Sequence, residues 1–300
     1  MIPIAYHPIY KHPLPDGHRF PMQKYELLPQ QLLHEGTAEH SYFFEPDSID
    51  LSFVTRVHTE KYLNDLLQLT LDAKAARKIG FPLSAELVER ELRIANGTLI
   101  GCKKALEHKV AFNIAGGTHH AFTGHGEAFC LLNDQAIAAQ YLLDYQLATK
   151  ILILDLDVHQ GNGTAEIFRN NTNVYTVSVH GKTNYPFKKE VSDLDIALDD
   201  GTTDSAFISI INELIPELIE QINPDFIFYL AGVDILESDK LGKLSCTLEG
   251  SKKRDEIVFK NCKKYSIPVQ VSMGGGYSES IKTIIDAHAN TFRVAKNIFT

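Results

Sequence analysis

Apolar residues along this chain fall into two patterns. Short runs recur at "IPIAY" (2–6), "IDLSFV" (49–54), "VAFNI" (110–114), "KILILD" (150–155), "NVYTVSV" (173–179), "DLDIAL" (193–198), "DFIFYL" (225–230) and "PVQVSM" (268–273). Several are continuous rather than alternating, as expected of parallel strands covered on both faces. Between them the period changes to that of a helix. In "SAELVERELRIANGTLIGCKKALEH" (84–108), Leu87, Val88, Leu92, Ala95, Leu99, Cys102 and Leu106 recur at helical spacing, with Ser84 as N-cap. Further helices are predicted over 133–146, 203–222, 248–265 and from about Glu279 onward. Strands alternating with helices imply one open, doubly wound α/β domain across residues 1–300. The Pro- and His-rich stretch "YKHPLPDGHRFPMQKY" (10–25) is expected as a surface loop leading into a helix.

Polar residues gather where several of these strands end. "ILILDLDVHQGNG" sets Asp155, Asp157 and His159 two apart, and residues i, i+2 and i+4 of an extended strand line one face. Gly161 and Gly163 permit a sharp turn there, at the carboxyl end of a strand, where open α/β sheets bind ligands. Two buried carboxylates without compensation would be very costly, so a cation is their natural partner. Asp234 follows the strand "DFIFYL"; read alone it is a cap or turn residue, but with Asp157 and His159 it completes the three protein ligands of a catalytic metal site. His119 and His120 follow another strand and a Gly-Gly turn. Gly274, Gly275 and Gly276, then Tyr277, follow the last, where glycines let backbone and a phenol approach a substrate. Four strand ends carrying polar groups imply one shared crevice.

Composition narrows the class. Lys+Arg 29 against Asp+Glu 38 gives a net charge of -9, which argues against sequence-independent binding to nucleic acid. Cys102, Cys130, Cys246 and Cys262 are scattered, with no CxxC, and read as reduced thiols of a cytoplasmic protein. The opening "MIPIAYHPIY" lacks the pattern of a secretory signal, and no apolar run is long enough to span a membrane.

Taken in order, "HPLPDGHRFP", "VHTEKYL", "GGTHHAF...AFCLLND", "DLDVHQGNGTAEIF", "TVSVH", "AGVDILESDKLGKLSCT" and "GGGY" resemble the histone deacetylase family of the arginase-deacetylase fold. The resemblance runs through most of the chain, and "HQGNG" and "DKLGKLS" are most similar to class IV-like and bacterial members. It implies an eight-stranded parallel sheet flanked by helices and a zinc-dependent amidohydrolase acting on N-acylated amines, with ferrous iron as the alternative metal. Its implied zinc ligands are Asp157, His159 and Asp234; His119 and His120 are the tandem histidines, facing Asp155 and Asn162; Tyr277 polarises the carbonyl. Ala128, Phe129, Tyr185, Leu241 and Gly275 are expected around the substrate, and Arg19 near an internal cavity. A structural potassium ion would use main-chain oxygens of Asp155, Asp157, His159 and Val179 with the side chains of Asp155 and Ser178; a second would use carbonyls of Phe168, Asn171 and Val174. Ala128 stands where glycine is usual, and Gln160 and Asn162 where some members carry His and Asp.

The implied substrate is an acyl-lysine peptide or a small acetylated amine, with no nucleic-acid or membrane partner. A binuclear manganese ureohydrolase of the same fold is the enzymatic rival, but it needs further carboxylates where this chain has Gln160. A non-catalytic binding module is the other; it would not need the two histidines, three ligands and Tyr277 together.

Overall fold

The computed structural model describes residues 1–300. Eight strands form one all-parallel sheet: β1 (Ile4–Ala5), β2 (Phe43–Phe44), β3 (Val110–Asn113), β4 (Ile151–Asp155), β5 (Val174–Gly181), β6 (Leu194–Leu198), β7 (Phe226–Leu230) and β8 (Val269–Ser272). Their spatial order is β2-β1-β3-β8-β7-β4-β5-β6. The ten helices are α1 (Lys24–His34), α2 (Leu51–Val54), α3 (Glu60–Leu67), α4 (Ala73–Ile79), α5 (Ala85–His108), α6 (Asp134–Asp144), α7 (Asn162–Phe168), α8 (Asp204–Ile222), α9 (Leu248–Lys264) and α10 (Ile281–Phe299).

Both faces of the sheet are covered, which is why its central strands are apolar without alternation. On β3, Asn113 turns to α5, where its amide donates to the Ile94 carbonyl (2.9 Å) and the Thr98 hydroxyl (2.9 Å). Its neighbour Phe112 turns the other way and stacks on Phe292 of α10, ring centroids 4.2 Å apart. The edge strand β6 alternates between buried or partly buried and exposed positions, having one covered face. The core cluster takes in Ile2 and Ala295, so both ends of the chain pack into it.

The predicted helices all form, each within a few residues of its expected bounds, and Ser84 caps α5 by accepting from the Leu87 amide (3.1 Å). One predicted strand does not. Residues 51–54 of "IDLSFV" are helical, because Asp50 caps the Ser52 amide (2.9 Å) and starts a turn that buries Ile49 and Val54 together. The strand at this edge is instead the two-residue Phe43–Phe44, too short to leave a pattern. The stretch 10–25 does lead into α1, but it is not a surface loop throughout: Tyr10, His12, Phe20, Met22 and Lys24 are buried.

What positions the site is register. Asp155 of β4 lies opposite Ser178 of β5 and Leu230 of β7; Leu230 lies opposite Ser272 of β8, and Ser272 opposite Asn113 of β3. Four adjacent strands therefore end at one level, and the loops after them rise from a common floor. Arg254 of α9, wholly buried, ties that floor together. Its guanidinium donates to the carbonyls of Ala231 (3.3 Å), Gly232 and Leu156 (3.4 Å), just past the ends of β7 and β4, and pairs with Asp255 at 2.9 Å. Asp255 also accepts from Tyr229 and from Thr291 (2.8 Å).

Arg254→Leu leaves three carbonyls without their donor and one buried carboxylate without its cation. It should destabilise the fold by about 3–5 kcal/mol, read from the midpoint of a denaturant titration. A loss under about 1 kcal/mol would show that water replaces the guanidinium at no cost.

Candidate active site

Strand β4 stops at Asp155, so Asp157 and His159 are not on an extended strand as expected; they lie in the loop that follows. That loop separates the roles of the two carboxylates. Asp155 turns to His119, its Oδ2 2.6 Å from Nδ1, while its Oδ1 accepts from the Asp157 amide (3.1 Å). Asp157 and His159 instead meet Asp234, from the loop after β7. His159 Nδ1 is 3.0 Å from Asp157 Oδ1 and 3.1 Å from Asp234 Oδ2. Their candidate donor atoms all lie within 4.8 Å of one another, and all three residues are buried.

Backbone amides hold these carboxylates in place. Gly275 donates to Asp157 Oδ2 (2.8 Å) and Val158 to Asp234 Oδ1 (3.1 Å). Gly275 has to be glycine, since a Cβ there would run into the Asp234 carboxylate. Its amide is thus engaged by the Asp157 carboxylate, and Gly275 does not line the cavity of about 450 Å³ where it was expected beside the substrate.

Charge in the cluster is unbalanced. Burial, with the charge of Asp157, pushes Asp234 up to about 7. Burial opposes charge on His159, but hydrogen bonds and charge from Asp157 and Asp234 outweigh it and carry the imidazole up to about 10. The cluster thus attracts protons into the space where a cation would serve. Two carboxylates and one imidazole nitrogen suit a divalent ion of zinc or iron character, and three protein ligands leave positions open. Gln160, next in sequence, turns away: its amide donates to the Glu190 carbonyl (2.7 Å) and to Asp195 (2.8 Å).

The tandem histidines follow Gly116 and Gly117, whose φ of 81° and 77° are left-handed and turn the chain back over the strand ends. Their imidazoles lie 4.1 Å apart, centroid to centroid, in different environments. Burial disfavours charge on His119, but Asp155 more than offsets it and its pKa is raised. Burial, together with the charges of His119 and His159, holds His120 well below the usual histidine value. Asn162 Oδ1 sits 2.6 Å from His120 Nδ1, and the Asn162 amide group donates to Glu127 Oε1 (2.8 Å). Glu127 therefore sets which way the amide faces: Nδ1 of His120 carries the hydrogen and Nε2 is free. Tyr277 stays a phenol, its pKa raised well above normal by burial and by the charges of Asp234 and Asp157.

A cavity of about 450 Å³ runs from His120, His159 and Tyr277 past Ala128, Phe129, Tyr185 and Leu241 to the surface. Aromatic rings wall it. Phe129 packs 5.1 Å from Phe20 and 6.1 Å from Tyr277, and Tyr185 meets His120 edge-on at 5.0 Å. Ala128 and Phe129 both have left-handed backbones (φ 47° and 69°), so alanine at 128 carries a penalty of about 1–2 kcal/mol that glycine would avoid.

Arg19 is not at the inner cavity. It is exposed, its guanidinium carbon 5.0 Å above the outer face of Phe129. The next residue, Phe20, takes the inward position, which leaves Arg19 on the outside of the turn. Behind the site, a small cavity of about 40 Å³ is lined instead by Arg90 of α5 with Tyr25, Ile94, Thr118 and Cys130. Arg90 is held there by its bond to the Tyr10 carbonyl (2.8 Å).

Of the residues expected around potassium, Asp155 and Ser178 face each other across β4 and β5, and the Ser178 hydroxyl lies 3.0 Å from His180 Nδ1. Phe168, Asn171 and Val174 span the turn between α7 and β5, where the Phe168 carbonyl accepts from the Asn171 amide (2.8 Å).

Sequence reasoning passed over Glu127, Asp239 and Lys24. Asp239 Oδ2 accepts from the Tyr277 amide (2.6 Å) while Oδ1 accepts from Leu241 and Gly242 (2.8 Å each), joining the loops after β7 and β8. It was visible inside "ESDKLG". Lys24 donates to the Gly274 carbonyl (2.8 Å), with burial pulling its ammonium down to about 8 against the charges of Asp234 and Asp157. A single lysine near the start of α1 carried no signal of this.

A profile of the histone deacetylase domain matches residues 18–292. The chain is 42% identical over 297 residues to an uncharacterised protein of Picosynechococcus sp., covering 99% of each chain. It is 28% identical over 277 residues to Histone deacetylase 2 of Arabidopsis thaliana, covering 89% of this chain and 72% of that one. Among solved structures it superposes on an HDAC homolog complexed with SAHA with a TM-score of 0.85, at 22% identity, over 99% of this chain and 84% of the other. The chain belongs to the histone deacetylase family, with the arginase-deacetylase fold, and is a deacetylase.

Proposed function

We propose that this deacetylase binds one divalent cation, zinc or ferrous iron, through Asp157, His159 and Asp234, and hydrolyses the amide of an acylated amine, in first place acyl-lysine. One observation carries the reading: three buried metal-type donors within 4.8 Å of one another lie beside the cavity floor where His120 and Tyr277 also converge. A bound cation of this kind polarises the substrate carbonyl and acidifies a water molecule.

The chain's own residues supply the rest. Neutral His120 takes the water's proton on Nε2, since Nδ1 is occupied by Asn162. The water oxygen bonds to the carbonyl carbon, and the same nitrogen returns that proton to the amine nitrogen as the C–N bond breaks; the remaining acid proton passes to the amine, so the products are a carboxylate and an ammonium. His119, held toward its charged form by Asp155, keeps positive charge beside the reacting centre. The Tyr277 hydroxyl donates to the carbonyl oxygen as negative charge grows there. Phe129 and Tyr185 enclose the apolar stem of the substrate and limit water. Asp155 and Ser178 support a structural potassium ion with neighbouring main-chain oxygens, and Phe168, Asn171 and Val174 a second.

Gln160 weighs against a binuclear manganese ureohydrolase, because its side chain is engaged with Glu190 and Asp195 on the far side of the loop. Four free, buried cysteines fit a reducing cytoplasm.

Tyr277→Phe should keep metal content and melting temperature while lowering kcat on an acetyl-lysine peptide by about 10²–10³. Wild-type turnover in the metal-loaded variant would remove the phenol from the mechanism. Asn162→Asp places a carboxylate against His120 and raises that imidazole's pKa. The base form then needs a higher pH, so the acid limb of the kcat/KM profile should move up by about one pH unit or more. An unmoved limb in a folded variant would mean that His120 is not the base.

A further inference from the structure

The cavity leading to the metal donors opens on cations. The charged side chains at its mouth are Arg19, Lys78 and Lys243, and no carboxylate lines it. In a chain of net charge -9 this is a local reversal. Two of the three cations are partly neutralised from outside the cavity. Lys78 lies 3.5 Å from Glu127; Lys243 lies 3.7 Å from Asp200 and donates to the Thr183 hydroxyl (2.8 Å).

Arg19 has no such partner. It stands in no ion pair, and its guanidinium lies over Phe129, 5.0 Å from carbon to ring centroid. Stacking on the ring orients the guanidinium while leaving its N–H edges free to bind an anion in bidentate fashion. Phe129 is also a wall of the cavity, so a substrate threaded past that ring emerges beside Arg19. Phe187, 90% exposed, and Leu241 complete the rim without adding an acidic group.

We propose, resting on the deacylase reading above, that the substrate carries a carboxylate on the part that remains outside the cavity, and that Arg19 receives it. The carboxylate belongs either to a small acylated amino acid or to an acidic residue flanking an acyl-lysine in a peptide. Acetylated polyamines and lysine-rich peptides carry the wrong sign for this mouth. Lys78 and Lys243 add a longer-range field that favours anionic substrates and weakens with salt.

The test is a kcat/KM panel on the metal-loaded full chain. It compares acetyl-lysine having a free α-carboxylate with its amide, acetyl-lysine peptides flanked by Glu, Ala or Lys, and an acetylated polyamine. A carboxylate-bearing substrate should exceed its matched neutral partner by about three- to tenfold at low salt. The advantage should shrink as salt rises, fall toward parity in Arg19→Gln and return in part in Arg19→Lys. Whether the amino acid or the Glu-flanked peptide shows it identifies the source. Equal rates for acidic and neutral substrates, a preference for the Lys-flanked peptide or polyamine, or an unchanged ratio in Arg19→Gln would overturn the proposal while leaving the deacylase reading intact. Hydrolysis of none of them would overturn that reading as well.

Discussion

The constraint on which this structure depends is the burial of Asp157 and Asp234 side by side. Each ion taken out of water costs several kcal/mol unless something positive meets it; the nearest such group is His159, itself squeezed between the two, with His119 Nε2 at 4.0 Å from Asp157 and the buried Lys24 farther off. Backbone amides from Gly275 and Val158 relieve part of the cost. What remains is a deficit of positive charge in a closed space, one that a divalent cation held by Asp157, His159 and Asp234 would remove. Burial, with the charges of Asp234 and Asp157, holds Tyr277 as a phenol, and burial, with the charges of His119 and His159, holds His120 neutral.

The sheet makes that juxtaposition possible. Because β3, β8, β7 and β4 are adjacent and end in register, residues from four distant parts of the sequence rise from one floor without long excursions. Arg254 locks the carbonyls beneath two of those ends, and Asp239 locks the loops above two of them. Fold stability and site geometry are therefore carried partly by the same buried polar groups.

Most of this was legible in the chain. Continuous apolar runs marked the central strands, and polar residues just past four of them marked the crevice. Where the reading failed, a local side-chain effect decided the outcome. Asp50 capped a turn inside an apparently alternating segment, and β2 was too short to register as a pattern. Asp157 and His159 met through a loop rather than along a strand, so the spacing was right for a different reason. Arg19 lies outside the inner cavity because its neighbour Phe20 takes the buried position, and Arg90, from the distant α5, lines that cavity; neighbouring sequence letters record neither. Glu127 and Lys24 acquire their roles only through partners 35 and 250 residues away.

The most direct test of the central claim is a metal titration of chelator-treated protein, following cation binding and deacetylation of an acetyl-lysine peptide together. The account predicts that one equivalent of zinc or ferrous iron restores turnover and raises the melting temperature, with no further change on adding a second. Full turnover in metal-free protein, or activity that appears only with two equivalents of manganese, would contradict it.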